Sequence, residues 1–162
     1  MISAKLVAKY LEYRNGHLYW IKAKAKRTKV GDQFGCLHHT GYRHGKFNGK
    51  LYREHRLIWL LLKGTFPDGD LDHINGIRDD NRIENLRECN DQQNNYNRDS
   101  LPGSTSKYKG VCWHKWNKKW VAQFNYKGKV KHIGYFKDEK EAASAYDNYT
   151  KDIQKDFARK NL

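Results

Sequence analysis

At Leu71 to Ile74 a carboxylate and an imidazole, Asp72 and His73, stand side by side in a short apolar run. Asparagines follow at 75, 81, 85, 90, 94, 95 and 97. Neighbouring residues of a strand point to opposite faces, so Asp72 and His73 take different tasks if this run is extended. Asp72 and Asn94 could hold one divalent cation through a carboxylate and an amide oxygen, with water and phosphate completing the shell. Two hard oxygen donors favour Mg²⁺, with Mn²⁺ the alternative, over Zn²⁺. His73 is then left as a general base. Another asparagine could accept from the imidazole and fix its tautomer, as the third member of a triad does. The competing reading is an Asx-rich loop with no metal, since Asn and Asp populate turns for backbone reasons alone.

These side chains need elements to hold them. "LDHI" reads as a short strand, "NLREC" (85–89) as a second one, and Asn90 with Gln93 as the start of a short helix carrying Asn94. The order is strand, loop, strand, helix. Upstream, "GYRHGKFNGKLYREHRLIWLLLKG" (41–64) predicts two short strands about an "NGK" turn and then an apolar helix over about 53–63. The N-terminus predicts a short helix with Leu6, Val7, Tyr10 and Leu11 at helical spacing, then a hairpin about "RNG".

Residues 99–106, "DSLPGSTS", form a linker without periodicity. Beyond it, "YKGVCWH", "KWVAQFNY" and "VKHIGYF" predict three aromatic-rich strands. Asp138 then caps a helix with the apolar stripe Ala142, Ala145, Tyr146, Tyr149 and Ile153.

The chain has 162 residues, of which 38% are hydrophobic and 14% aromatic, with a mean hydropathy of −1.04. Small aromatic-pinned units fit this better than one thick core. The formal net charge of +14 points to a polyanion, and nucleic acid is the leading partner. Lys and Arg outnumber acids 11 to 2 over residues 1–52 and 14 to 7 over 99–162, but acids lead 9 to 7 over 53–98. An acidic centre between basic flanks suits a cation placed between carboxylate and phosphate. Lys24, Lys26, Arg27 and Lys29 lie in a basic run, "KAKAKRTK", that reads as a mobile loop, either simply solvated or gripping phosphate. Cys36, Cys89 and Cys112 are far apart, so a cysteine zinc site is not expected and a reducing compartment is the simplest setting. The longest apolar run, "LIWLLL", is too short to span a bilayer, and no signal peptide is expected.

"HRLIWLLLKGTFPDG" followed by "LDHINGIRDDNRIENLRECNDQQNNYN" resembles the HNH endonucleases of phages and group I introns. In particular it is similar to the homing type whose last motif residue is Asn. The resemblance covers roughly residues 9–98. It implies that His73 activates water, that Asp72 and Asn94 ligate a single metal, and that Asn85 orients the imidazole. Asn81 is read as loop-structuring. His55, in the lead-in, is read as packed or as touching phosphate. The implied reaction is metal-dependent phosphodiester hydrolysis leaving 5′-phosphate and 3′-hydroxyl ends. The rival reading is a non-catalytic, sequence-specific DNA-binding or transcription protein.

Residues 106–162, with "YKGV", "HIGYF" and "EAASAYD", resemble the plant ethylene-response-factor (APETALA) type of DNA-binding domain. That resemblance implies a three-stranded sheet laid in the major groove. Lys109, Trp113, Lys115, Lys119, Gln123, Lys129 and Lys131 are the candidate DNA contacts there, and Arg53 joins them from the N-terminal half. Val111, Val121, Phe124, Ile133, Tyr135 and Phe136 are better core.

The expected fold class is thus α+β: a ββα-metal nuclease core followed by a small three-stranded antiparallel sheet plus helix. The expected domains are a basic N-terminal region 1–52, a nuclease core 53–98, a linker 99–106 and a DNA-binding module 107–162. Double-stranded DNA is the expected partner, without membrane, for a monomer or weak dimer in the cytoplasm of a host cell.

Overall fold

The computed structural model describes residues 2–22, 28–98, 100, 103–158 and 160–162. The chain divides into two compact units, Met1–Asp91 and Gln92–Leu162. Each has its own small core.

The first unit opens with helix α1 (Ala4–Ala8), capped by Ser3, whose hydroxyl accepts from Leu6 N at 3.3 Å. Strands β1 (Leu11–Arg14) and β2 (His17–Trp20) form an antiparallel hairpin. Its turn residues Asn15 and Gly16 both take positive φ, +46° and +87°. That is the two-residue hairpin geometry that Asn-Gly favours. A second sheet has the order β3 (Cys36–Leu37), β4 (Arg43–Phe47), β5 (Lys50–Arg53). The two-residue β3 was not foreseen, because so short a strand carries no period. Helix α2 (Glu54–Lys63) follows directly. It buries Leu57, Ile58 and Leu60 with Val7, Leu11, Leu18, Trp20, Phe34 and Phe47. Glu54 and His55, in its first turn, are buried as well. The last pair of strands, β6 (Asp70–His73) and β7 (Leu86–Cys89), is antiparallel, with Asp72 opposite Arg87 and His73 opposite Leu86.

Helix α3 (Asp91–Tyr96) begins where the first unit ends, and its Tyr96 belongs to the second core. Strands β8 (Val111–His114), β9 (Lys119–Tyr126) and β10 (Lys129–Phe136) form an antiparallel sheet in the order β10–β9–β8. Helix α4 (Glu139–Gln154) is capped by the Asp138 carboxylate, which accepts from Lys140 N at 2.7 Å and Glu141 N at 3.1 Å. Val111, Ala122, Phe124, Ala142, Ala143 and Tyr146 form the centre of this core.

Two expectations need correction here. The buried stripe of α4 is Ala142, Ala143, Tyr146, Thr150 and Gln154, while Tyr149 and Ile153 are exposed. Its polar members are satisfied: Thr150 donates to Tyr146 O at 3.0 Å and Gln154 to the Tyr146 hydroxyl at 3.3 Å. Tyr135, expected in the core, is 43% exposed. It pairs with Val121 across the sheet, on the face opposite Phe124 and Ala122.

Candidate active site

Between β6 and β7 the loop is tied together by asparagine side chains. Asn85 Oδ1 accepts from Asn75 N at 3.0 Å. Asn85 Nδ2 donates to Asn75 Oδ1 at 3.0 Å and to Asp80 O at 2.7 Å. Asn75 Oδ1 also accepts from Ile77 N at 2.8 Å, an Asx turn. Arg82 donates twice to the Asp80 carboxylate, at 2.8 and 2.7 Å. That contact holds the Asp80 carboxyl well below the usual range. The effect is a closed loop that returns the chain from His73 to Leu86.

His73 is 4% exposed at the end of β6. Its Nε2 lies 2.9 Å from Asn81 Oδ1. The side chain that reaches the imidazole is therefore Asn81, read from the sequence as a loop residue, whereas the amide of Asn85 clamps the loop. Asn81 Nδ2 in turn donates to Glu54 Oε2 at 3.0 Å. Asn81 is 1% exposed and Glu54 fully buried. The other Glu54 oxygen accepts from Leu18 N at 2.8 Å, and His17 Nδ1 stands 3.1 Å from Oε2. Burial raises the Glu54 carboxyl pKa above its ordinary value, against the pull of those donors and of Arg43. Burial also lowers the pKa of His73, opposed by the Asn81 bond and by Asp72. The net shift favours the neutral imidazole.

Asp72 is 6% exposed, and its Oδ2 accepts from Arg87 Nε at 2.9 Å and Nη2 at 2.7 Å. The cross-strand guanidinium gives this buried carboxylate a charged partner. Asn94 is half-buried on α3, in the second unit. At the end of β7, burial pushes the Cys89 thiol up to about 11. It stays protonated at neutral pH in the metal-free chain. The Asp72 carboxylate offers hard oxygen donors, which suit Mg²⁺ or Mn²⁺. A different group of possible ligands, His17, Glu54 and Asp79, lies within 4.8 Å of one another. Arg43 already serves it, with Nε 3.6 Å from Glu54 Oε2 and 3.3 Å from Asp79 Oδ1. A cation there would have to displace a guanidinium, so the group is better understood as an ion-pair network.

His55 packs edge-on against His73, with ring centroids 5.1 Å apart, and Tyr42 lies within 5.4 Å of His55 and 5.9 Å of His73. His55 is 2% exposed, and its Nδ1 meets no hydrogen-bond partner among the described residues. Burial first, then the neighbouring His73, Arg53, Arg56 and His44, push its pKa down to about 3. The folded state therefore keeps it neutral where the unfolded chain, at 6.5, takes a proton. Its contribution to stability is full above pH 6.5 and is lost as pH falls toward about 3. The slope approaches about 1.4 kcal/mol per pH unit between those limits. Denaturant melts are expected to show a shallower acid-side slope in His55→Leu than in wild type. Equal slopes would contradict this.

The remaining candidate contacts are scattered. Lys24, Lys26 and Arg27 lie outside the described residues. Lys29 and Arg53 are exposed, and Arg53 stacks over Tyr42 at 4.7 Å. Arg78, absent from the sequence-based set, stacks over the same ring at 5.2 Å. Lys109 turns its ammonium onto Asn95 O and Tyr96 O at 2.6 and 2.7 Å, so it serves the fold of its own unit. Lys115, Lys119, Gln123, Lys129 and Lys131 are exposed, as is Trp113. They do not share one face. Trp113 pairs with Trp120 and Lys131 with Phe124, on the α4 side, while Lys119 pairs with His114 and Gln123 with His132 on the open side.

A family profile described as HNH endonuclease matches residues 52–96, the segment from β5 to α3 that contains Asp72, His73, Asn81, Asn85 and Asn94. The chain is also 31% identical over 81 residues to Protein 3.8 of Escherichia phage T7, which covers 49% of this chain and 67% of that protein. The chain belongs to the HNH endonuclease family. No solved structure matches it. HNH nucleases use a divalent metal, and their substrate class is DNA. In this HNH protein no described helix is long and apolar enough to cross a membrane. The matched segment includes the β6–β7 hairpin. Glu54 was not among the sequence-based candidates and Asn81 was read there as loop-structuring, yet both stand in the hydrogen-bond chain behind His73. A charged residue on the apolar side of α2 was the available signal for the first.

Proposed function

We propose that the chain is a metal-dependent DNA endonuclease of the homing type, with His73 as general base. The observation that carries this is the pairing of buried Asp72 and His73 on β6, with the imidazole held at Nε2 by Asn81, inside the segment that matches the family. If Nε2 carries the proton, Nδ1 is the basic nitrogen. It takes a proton from a water that attacks phosphorus in line, and the 3′ oxygen leaves. Asp72 and Asn94 would hold one cation, Mg²⁺ or Mn²⁺. When bound, it stabilises charge on the phosphate and the departing oxygen. Asn85 keeps the loop closed behind His73. Arg53 and Arg78, stacked on Tyr42 beside the histidines, are suited to the flanking phosphates. The test is cleavage of end-labelled DNA by the purified chain. The products should be ligatable, with 5′-phosphate and 3′-hydroxyl ends, and Asp72→Ala and Asn94→Ala should each remove most activity. Wild-type cleavage by both variants would sink the assignment.

The C-terminal unit is proposed as a DNA-binding module that supplies targeting, on the strength of its resemblance to the ethylene-response-factor type and its exposed basic side chains. The open face of its sheet, with Lys119 and Gln123, is assigned to DNA. Lys119→Ala should reduce the slope of log affinity against log salt by about 1, with little change in sequence preference. Gln123→Ala should do the reverse. Binding isotherms at several salt concentrations would show it, and no effect from either would move the interface elsewhere. Host cytoplasm is the expected setting, in keeping with the phage relative.

A further inference from the structure

We propose that Glu54 is the residue that fixes the tautomer of His73, acting through Asn81. This rests on His73 being the base of the reaction proposed above. The geometry is a chain of buried hydrogen bonds: His73 Nε2 to Asn81 Oδ1 at 2.9 Å, Asn81 Nδ2 to Glu54 Oε2 at 3.0 Å, and Leu18 N to Glu54 Oε1 at 2.8 Å.

An asparagine amide can face either way, so Asn81 alone cannot choose a tautomer. Turned one way, it offers oxygen to the imidazole and Nε2 must carry the proton. Turned the other way, it offers N–H, Nε2 must accept, and the proton moves to Nδ1. The choice falls to whatever lies behind Asn81. Glu54 presents carboxylate oxygens, which only accept. It therefore draws Asn81 Nδ2 toward itself and turns Oδ1 to the histidine. Leu18 N–H, a backbone donor that cannot rotate away, occupies the other carboxylate oxygen and anchors Glu54. All four residues are buried. Bulk water thus has little access to substitute for any link, and a mispaired donor is costly there. His73 keeps its lone pair on Nδ1 before any substrate arrives. Glu54 is a positioning residue, since it touches Asn81 rather than the reacting atoms.

Glu54→Gln makes the idea testable because it changes one acceptor into a donor at constant shape. The introduced amide must still offer its oxygen to Leu18 N–H. Its nitrogen then faces Asn81 Nδ2, two donors in opposition. Asn81 relieves this by turning over, which sends its N–H to His73 Nε2 and the proton to Nδ1. His17, partly exposed, can accept from the introduced amide by changing tautomer. When Glu54→Gln is combined with Asn81→Asp, the new carboxylate accepts from both the introduced amide and His73. The Nε2–H tautomer is then restored.

The experiment is long-range ¹H–¹⁵N NMR of His73 in the metal-free full chain at neutral pH, with single-turnover DNA cleavage in Mg²⁺. Wild type is expected as Nε2–H. E54Q is expected as Nδ1–H with at least about a hundredfold slower cleavage, the scale of a lost general base. The E54Q/N81D double variant is expected to return to Nε2–H and to recover most of the rate. A purely structural Glu54 predicts no such rescue. The proposal is overturned by Nδ1–H in wild type, by Nε2–H in folded E54Q, or by Nδ1–H in the double variant. Should E54Q fail to fold, the wild-type and double-variant tautomers decide. A wild type that never cuts DNA refutes the nuclease reading alone, because the tautomers are read without substrate.

Discussion

His73→Ala is expected to slow DNA cleavage by about 10² to 10⁴, the usual contribution of a positioned general base. DNA affinity should change little, because the basic groups proposed to hold phosphate are untouched. The substitution also empties space beside His55 and Tyr42 and leaves Asn81 Oδ1 without its imidazole partner. An unpaired buried acceptor costs about 1–3 kcal/mol, so some loss of stability accompanies the loss of rate. His73→Gln separates the two effects. It keeps most of the volume and can donate to Asn81, yet it has no basic nitrogen. Single-turnover rates measured well below each variant's melting temperature should be equally low for both. A His73→Gln rate within a few fold of wild type would show that His73 packs the site without acting as base.

Gly110→Ala is expected to remove a large share of the stability of the second unit. Gly110 has φ +73°, and a Cβ there would overlap the Tyr146 ring and meet Gln123 O at 2.7 Å. Tyr146 cannot step aside. It is 2% exposed, lies edge-on to Phe124 at 6.0 Å and is bonded at its hydroxyl by Gln154. Gln123 is fixed too, since its N–H donates to Gly110 O at 2.8 Å. Left-handed backbone at a non-glycine residue costs about 1–3 kcal/mol. Overpacking costs about 1–3 kcal/mol more. Small domains hold only about 5–15 kcal/mol in all. Gly103→Ala is the control, because it has φ +83° with nothing within 4 Å of the added Cβ. Hydrogen exchange should show amides of β9 losing protection in Gly110→Ala and keeping it in Gly103→Ala, with α2 protected in both. Equal loss in the two variants would mean that backbone strain, and not the Tyr146 contact, sets the need for glycine.

Much of the architecture was legible because local signals agree. Alternation and turn residues marked β6, β7 and the three strands of the second unit, and Asp138 marked the start of α4. Low hydrophobicity with many aromatics pointed to small separate cores, and the two cores have no residue in common. What was not legible depends on contacts between distant residues. Asn81 and Asn85 have the same side chain, and only the closed loop decides which one reaches His73. Glu54 is in the first turn of α2, where an acid ordinarily serves the helix dipole. Its link to Asn81 lies 27 positions away and leaves no periodic trace. The faces of the C-terminal sheet followed from the register of β8, β9 and β10, which single-strand alternation could not supply.

The most direct test of the central claim is supercoiled plasmid carrying cognate DNA, incubated with the purified wild-type chain under divalent metal and under chelation. The account predicts relaxed or linear product in Mg²⁺ or Mn²⁺, none in excess chelator, and recovery when Mg²⁺ is restored. Cleavage that continues undiminished in chelator, or none with any divalent metal while the DNA is demonstrably bound, would contradict it.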